Sequence, residues 1–361
     1  YGMDAVMAKF LLGLFVKKPK VVLLGFLIVI SVFSMFMSNT ATAAMMLAFL
    51  APVLKSLPDD ETGKVGLALS IPIAANLGGI GTPIGTPPNA VAIGALENAG
   101  YSIGFLDWML RMIPYVIVMI IIAWVLLTVF FPFKAKSIVL DIPVKESKKD
   151  WRTYVAWITF FLTILLWVTE QATGINSNVV ALIPLAVYTC TGVFTKEDIK
   201  EINWSVLWLV AGGFALGIGL NKTGLAATLI NAIPFSSMNV VIVMIVAGLI
   251  CYLLSNFISN SATAALLVPI LVVVGTALED PAAASHAQFE SMGGMYALIP
   301  FIAMCASIAM LFPISTPPNA IAASTGLVST KDMTKVGIII GVIGFILGYF
   351  LLTTLFPFQA A

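Results

Sequence analysis

The chain has 361 residues, 60% of them hydrophobic and 10% charged, and its mean hydropathy is +1.06. That balance excludes a soluble globular protein and predicts an all-α polytopic membrane protein. A formal net charge of +1, from 18 Lys and Arg against 17 Asp and Glu, leaves no basic field to hold nucleic acid. Cys190, Cys251 and Cys305 lie in apolar stretches with neither zinc spacing nor an even disulfide count. His286 is the only histidine and sits in a polar loop, so neither a catalytic triad nor a metal cluster is expected, and no cofactor beyond coupling ions. The expected protein is not an enzyme.

A bilayer-crossing helix needs roughly 20 apolar residues. In chain order such segments fall at 21–54, 65–96, 109–133, 153–170, 178–194, 203–221, 239–278, 291–327 and 336–357. The segments 21–54 and 239–278 are nearly twice the needed length and carry a polar triplet at the middle, so each predicts a re-entrant hairpin. The segments 65–96 and 291–327 are interrupted by Gly, Thr, Pro and Asn, at Gly81–Asn89 and Pro313–Asn319, which predicts helices unwound in the middle. Lys and Arg concentrate on the cytoplasmic side. Lys17, Lys18, Lys20, Lys55, Lys64, the loop Lys134–Arg152, Lys196, Lys200, Lys331 and Lys335 are therefore expected inside. Glu97, Asp107, Glu170, Glu279, Asp280, His286 and Glu290 are expected outside. Only the hairpin reading of both long segments keeps every basic loop on one side. A plasma or inner membrane is the expected location.

Self-comparison reveals a repeat. Ser38-Asn39-Thr40-Ala41-Thr42-Ala43-Ala44 recurs as Ser259-Asn260-Ser261-Ala262-Thr263-Ala264-Ala265, and Ser34 recurs as Ser255, an offset of about 221 residues. Thr86-Pro87-Pro88-Asn89-Ala90 recurs as Thr316-Pro317-Pro318-Asn319-Ala320 at an offset of about 230. Two motifs in the same order, on hairpins that open to opposite sides, predict two inverted repeats of the alternating-access kind. The expected division is 1–133 for the rest of the first repeat, 134–152 for a cytoplasmic linker and 153–361 for the second repeat. Spans 153–170, 178–194 and 203–221 precede the second hairpin, whereas only Tyr1–Lys20 precede the first. About three further N-terminal spans are thus expected in the full protein.

Irregular backbone survives in hydrocarbon only where protein buries it or where it lines a cavity, so four breaks mark a site. At Asn39-Thr40 and Asn260-Ser261 one half-helix ends and another begins, offering carbonyls to a small cation and N–H groups to an anion. Pro87-Pro88 and Pro317-Pro318 each open a half-helix, since proline is tolerated in a first turn. Asn89 and Asn319 are expected to tie these breaks to the hairpin tips. The segments 21–54, 65–96, 223–278 and 291–330 contain no Asp, Glu, Lys, Arg or His. Cation ligands there must be carbonyl, hydroxyl and amide oxygens, and bound cations would neutralise an anionic substrate. Gly337, Gly341, Gly344 and Gly348 read as close helix packing.

At these paired Ser-Asn-Thr and Thr-Pro-Pro-Asn motifs the sequence resembles the divalent anion/sodium symporter family, which carries dicarboxylates, citrate or sulfate. The resemblance covers essentially the whole chain. It implies an elevator-type homodimer in the lipid bilayer that imports a C4-dicarboxylate such as succinate with Na+. By resemblance, Ser34, Ser38, Asn39 and the Gly85 carbonyl match the first sodium site, and Ser255, Asn260 and the Ser315 carbonyl the second. Asn39, Thr40, Asn260 and Ser261 match the tips that hold substrate carboxylates, beside Thr86, Pro87, Thr316 and Pro317. The second triplet reads Ser-Asn-Ser where Thr is common, one methyl fewer in the pocket. Some family members exchange one anion for another without sodium, and that exchanger is the alternative reading. An anion channel would instead show a ring of charged side chains.

Overall fold

The computed structural model describes residues 2–15, 18–138, 150–202, 204–225, 228 and 239–355. Residues 139–149, most of the expected linker, lie outside the described residues, as do 356 and 357 at the end of the expected last span. The first part of the chain forms α1 (Met3–Leu12), α2 (Pro19–Ser34), α3 (Asn39–Ser56), α4 (Gly63–Gly79), α5 (Pro87–Asn98) and α6 (Phe105–Phe130). Next come α7 (Trp151–Val168), α8 (Glu170–Thr173), α9 (Ser177–Cys190), α10 (Asp198–Glu201) and α11 (Trp204–Lys222). The last part forms α12 (Val240–Ser255), α13 (Asn260–Glu279), α14 (His286–Ser291), α15 (Gly294–Ser307), α16 (Pro317–Ala323) and α17 (Thr330–Phe350), with a π-helical turn at Leu351–Leu355.

Among the described residues, α6, α7, α13 and α17 with its π-helical turn are long and apolar enough to cross a bilayer. Several shorter apolar helices, α2, α9, α12 and α15 among them, accompany these four. The chain is a multi-pass membrane protein. Apolar side chains such as Ile158, Leu185 and Trp208 are exposed, as faces turned to lipid are.

Each long sequence segment is two helices. Within 21–54, α2 stops at Ser34 and α3 starts at Asn39; within 239–278, α12 stops at Ser255 and α13 starts at Asn260. The restarts have a local cause, because Ser38 and Ser259 stand in extended backbone and accept from the N–H groups of Ala41 and Ala262, both at 3.2 Å. The final helix begins at Thr330, earlier than residue 336, because Ser329 and Asp332 form a capping box around its first turn. Hydropathy alone misses that turn, since Lys331, Asp332 and Lys335 lie in it.

Two helices form the centre. α4 and α15 are buried on nearly every face, which suits helices apolar all round. α4 packs against α2, α3, α6 and α16, and α15 packs against α12, α13, α17 and α5. The short half-helices therefore reach across: α5 lies on α13 and α15, whereas α16 lies on α3 and α4. The glycines of α17 permit close approach, since a Cβ at Gly341 would stand 2.1 Å from the Tyr252 hydroxyl and one at Gly348 would stand 1.7 Å from Met304 Cε.

Polar contacts gather at two ends. At one, Lys134 pairs with Asp60 at 2.7 Å, Lys335 stands 4.0 Å over the Phe130 ring, and the Trp124 indole donates to Lys20 O at 2.8 Å. At the other, the Tyr101 hydroxyl donates to Glu279 at 2.5 Å, and Glu170 accepts from Phe105 N at 3.1 Å and Ser177 N at 2.9 Å.

Candidate functional site

The break between α2 and α3 faces the break between α4 and α5. Ser34, on the last turn of α2, donates its hydroxyl to Ala75 O at 2.7 Å and lies 2.7 Å from the Asn39 side chain. The Asn39 amide stands 3.2 Å from both Ala75 O and Gly85 O. With its oxygen turned inward, Asn39 would set an acceptor against two carbonyl acceptors, so the hydrogen-bond pattern favours the opposite orientation. Turned over, its nitrogen donates to Ala75 O, Gly85 O and Ser34 Oγ, and the cluster is satisfied by protein alone. The spacing leaves no room for larger residues at two positions. A Cβ at Gly79 would stand 2.6 Å from Asn39 Oδ1, and one at Gly85 would stand 2.5 Å from Gly79 O.

The matching break repeats this core. Ser255, on the last turn of α12, lies 2.9 Å from Ala306 O and 2.8 Å from the Asn260 side chain, and its single proton serves one of the two. The surroundings differ. Ser315 replaces Gly85, and its hydroxyl donates to Asn256 O at 2.9 Å; Asn256 Oδ1 accepts from Leu311 N at 2.8 Å. In the first break the corresponding tie runs from the Thr82 hydroxyl to Met35 O.

The two Thr-Pro-Pro-Asn segments open α5 and α16, with Thr86 and Thr316 extended at the cap positions and proline in the first turn. The Asn89 nitrogen donates to Thr82 O at 2.8 Å and Gly79 O at 3.0 Å, and that of Asn319 donates to Phe312 O at 2.8 Å. Both asparagines thereby staple their own unwound loops, where the sequence suggested ties to the hairpin tips. A short polar side chain reaches the free carbonyls of its own turn more readily than a separate element.

Ser38 and Ser259 serve as N-caps at the tips, and Thr40 is exposed while Ser261 is half-buried. Asn39, Thr86, Asn260 and Thr316 are buried or half-buried; Pro87 is half-buried and Pro317 exposed. Asn76, which the sequence did not single out, joins two of the breaks. Its nitrogen lies 3.3 Å from Thr316 Oγ1 and 3.5 Å from Asn319 Oδ1, and its oxygen lies 3.4 Å from Asn39 Nδ2. A lone Asn in an apolar helix carries no spacing signal. Its only hint is the cost of burying an amide without partners.

Three buried oxygens in this region have no partner among the described residues: Thr42 Oγ1, Thr263 Oγ1 and Asn89 Oδ1. Thr42 and Thr263 occupy the same place in the two repeats of the motif, one turn beyond Asn39 and Asn260.

The return from α3 to α4 is fastened to the end of α6. The Glu61 carboxylate accepts from Gly63 N at 3.1 Å, Lys134 N at 3.0 Å and Ala135 N at 2.8 Å. Burial pushes its carboxyl up, but the N–H donors of 134, 135 and 63 outweigh that and hold it below the ordinary glutamate range.

Breaks of this kind in an all-helical membrane protein, lined by neutral oxygens and helix starts, are the discontinuous helices on which secondary transporters build their sites. The chain belongs to the citrate transporter family (CitMHS), which matches residues 1–289. It is 33% identical to an uncharacterized transporter of Schizosaccharomyces pombe over 92% of this chain and 38% of that protein. It is 28% identical to the sodium-dependent high-affinity dicarboxylate transporter 3 of Caenorhabditis elegans, over 90% of this chain and 65% of that one. A low-affinity phosphate transporter of Saccharomyces cerevisiae is 29% identical over 74% of this chain and 30% of its own length. The chain thus spans between about a third and two thirds of these relatives. Relatives named sodium-dependent dicarboxylate transporters agree with the resemblance drawn from the paired motifs.

Proposed function

We propose that this chain carries the two-repeat core of a secondary active transporter that imports a divalent anion with sodium, a C4-dicarboxylate such as succinate being the favoured cargo. The observation that carries the proposal is the convergence of Ser34 Oγ, Ala75 O and Gly85 O with the Asn39 amide at one unwound point, three neutral oxygens beside an amide whose own oxygen supplies a fourth when it turns to a cation. Neutral oxygens of unwound backbone and hydroxyls suit an alkali cation, and the adjacent half-helix starts at Asn39, Thr86, Asn260 and Thr316 suit a carboxylate. Ser34, Asn39 and Gly85 would form one sodium site with Ser38 at its rim, and Ser255, Asn260 and Ser315 a second. Thr40, Ser261, Pro87 and Pro317 complete the anion's surroundings.

Inverted repeats are part of this reading. Exchanging the first repeat for the second maps the packing onto itself, with α5 on α13 and α15 answering α16 on α3 and α4. Gly2 and Gly224, which align in the repeat, both take positive φ, 75° and 73°. The hairpins α2–α3 and α12–α13 would then move with α4–α5 and α15–α16 against the remaining spans, in an elevator-type homodimer. The end holding Lys20, Lys64, Lys134 and Lys335 is the cytoplasmic one.

Sodium-independent dicarboxylate or citrate exchange is the second reading, favoured by the alternative amide of Asn39. With its nitrogen on Ala75 O and Gly85 O the first cluster closes without a cation. Uptake of labelled succinate by the full-length protein in proteoliposomes separates the two. Concentrative uptake into empty vesicles only under a sodium gradient is the expected result. Uptake that needs internal dicarboxylate and ignores sodium would establish exchange and remove the cation sites. Should succinate not enter either way, citrate, sulfate and phosphate are the anions to try, phosphate because of the yeast relative's name.

A further inference from the structure

A cleft of about 480 Å3 lies along the far half of α3, beside the connection from α16 to α17. It is separate from the breaks, since Ala51 on its wall stands twelve residues beyond Asn39, about 18 Å along the helix. One wall is apolar, made by Leu47, Ala51 and Leu54 with Leu327 opposite. Its polar end holds Lys55, Lys64 and Asp59. Lys64 is only 7% exposed. Its partner Asp59 is 3.4 Å away with a fully exposed side chain, so solvent screens that pair and leaves the buried ammonium undercompensated. Lys64 also faces Asp60, which Lys134 holds at 2.7 Å, whereas Lys55 makes no ion pair among the described residues, so the cleft's own lining carries two ammonium groups and one carboxylate and can receive an anion.

The shape selects among anions. A small dianion is best held by polar groups around it, whereas here Leu47, Ala51, Leu54 and Leu327 make half of the lining, with Thr325 beside Leu327. Basic pockets between membrane helices on the cytoplasmic face are where acidic lipid headgroups bind. We infer that this cleft seats an anionic phospholipid, its phosphate at Lys55 and Lys64 and its upper acyl chain along Leu47, Leu54 and Leu327. The lipid would then tie the return of α3 to the start of α17.

Native mass spectrometry of the full-length protein, released from nanodiscs of equal phosphatidylglycerol and phosphatidylcholine, tests this. Preferential retention of phosphatidylglycerol is expected. K55Q should weaken it about fivefold and K64Q at least as much, the effect of one basic group near an anionic headgroup. Lys55 is exposed, so its exchange leaves packing untouched and keeps the test sound where K64Q misfolds. A51W, which fills the cleft, should abolish retention. Equal retention of both lipids, or retention indifferent to K55Q and A51W, would overturn the inference. So would displacement of the lipid by millimolar succinate or inorganic phosphate, which would make the cleft a site for a free anion.

Discussion

The two oxygen clusters share a core and differ in their closure. Both set a serine hydroxyl between an asparagine side chain and an alanine carbonyl, at 2.7 Å on each side in the first and at 2.8 and 2.9 Å in the second. Around the second, the Ser315 hydroxyl donates to Asn256 O and the Asn256 side-chain oxygen accepts from Leu311 N, which ties the loop shut, and Asn319 Oδ1 accepts from Thr316 Oγ1 at 3.0 Å. Around the first, Gly85 contributes only backbone, and Asn89 Oδ1 has no partner among the described residues. The serine, asparagine and alanine groups coincide in the two clusters, and what surrounds them does not. The first cluster, where Gly85 offers its carbonyl and no side chain ties the position shut, is the one expected to respond to sodium most strongly.

Removing the shared asparagines should have the largest effect. Asn39→Ala and Asn260→Ala should each cut succinate uptake by at least about a hundredfold, with normal amounts in the membrane, because each deletes a ligand of a buried polar site worth a few kcal/mol. Uptake by both variants at the wild-type rate would sink the site assignment. The position that differs sharpens the comparison. Gly85→Ala places a Cβ 2.5 Å from Gly79 O, so the sodium concentration for half-maximal uptake should rise about tenfold or more. Ser315→Ala loses the hydroxyl's donation to Asn256 O and its acceptance from Phe312 N, each worth about 1 kcal/mol, but leaves the backbone carbonyl in place and should change sodium dependence less than Gly85→Ala does. The reverse order, measured as uptake against sodium, would make the second cluster the responsive one.

How much of this was legible depends on what each residue had to break. Four helix interruptions were readable because Ser-Asn-Thr, Ser-Asn-Ser and Thr-Pro-Pro-Asn are foreign to an apolar span and occur twice. Their repetition picked out Asn39 and Asn260, which start α3 and α13. Asn76, Asn256 and Thr82 were not readable, because each is a single polar residue whose meaning arises from elements distant in sequence. Asn76 reaches Thr316 across 240 positions. Glu61 was hidden for the opposite reason, since a charged loop residue looks like any solvated one until its carboxylate is found on three backbone donors. The start of α17 was misplaced because the window that finds membrane spans discards the charged capping turn.

Outside the clusters, the connection from α3 to α4 supplies a milder effect that depends on pH. Glu61 has a folded pKa below its ordinary value of about 4.3, so its stabilising contribution is whole above that value. It is lost as pH falls through the lower, folded value. Glu61→Gln should cost about 2 kcal/mol at neutral pH, the scale of hydrogen bonds to a charged acceptor, and lower the melting temperature by a few degrees. The difference from wild type should shrink below pH 4, as the wild-type carboxyl takes up its proton. A gap that widens on acidification would contradict the assignment.

The smallest effect returns to the comparison of the two clusters. Thr42 and Thr263 hold equivalent places, and each buries a hydroxyl without a partner among the described residues. An unsatisfied buried hydroxyl costs free energy, so Thr42→Val and Thr263→Val, which keep the shape, should leave stability unchanged or raise it by up to about 1 kcal/mol. Thermal melts without sodium or substrate would measure this. The same melts with both present test whether the hydroxyls gain a partner during transport. A stabilising shift by sodium and succinate that falls in one variant and persists in the other would show that the pair is equivalent in position only. Equal loss in both would extend the shared core by one residue on each side.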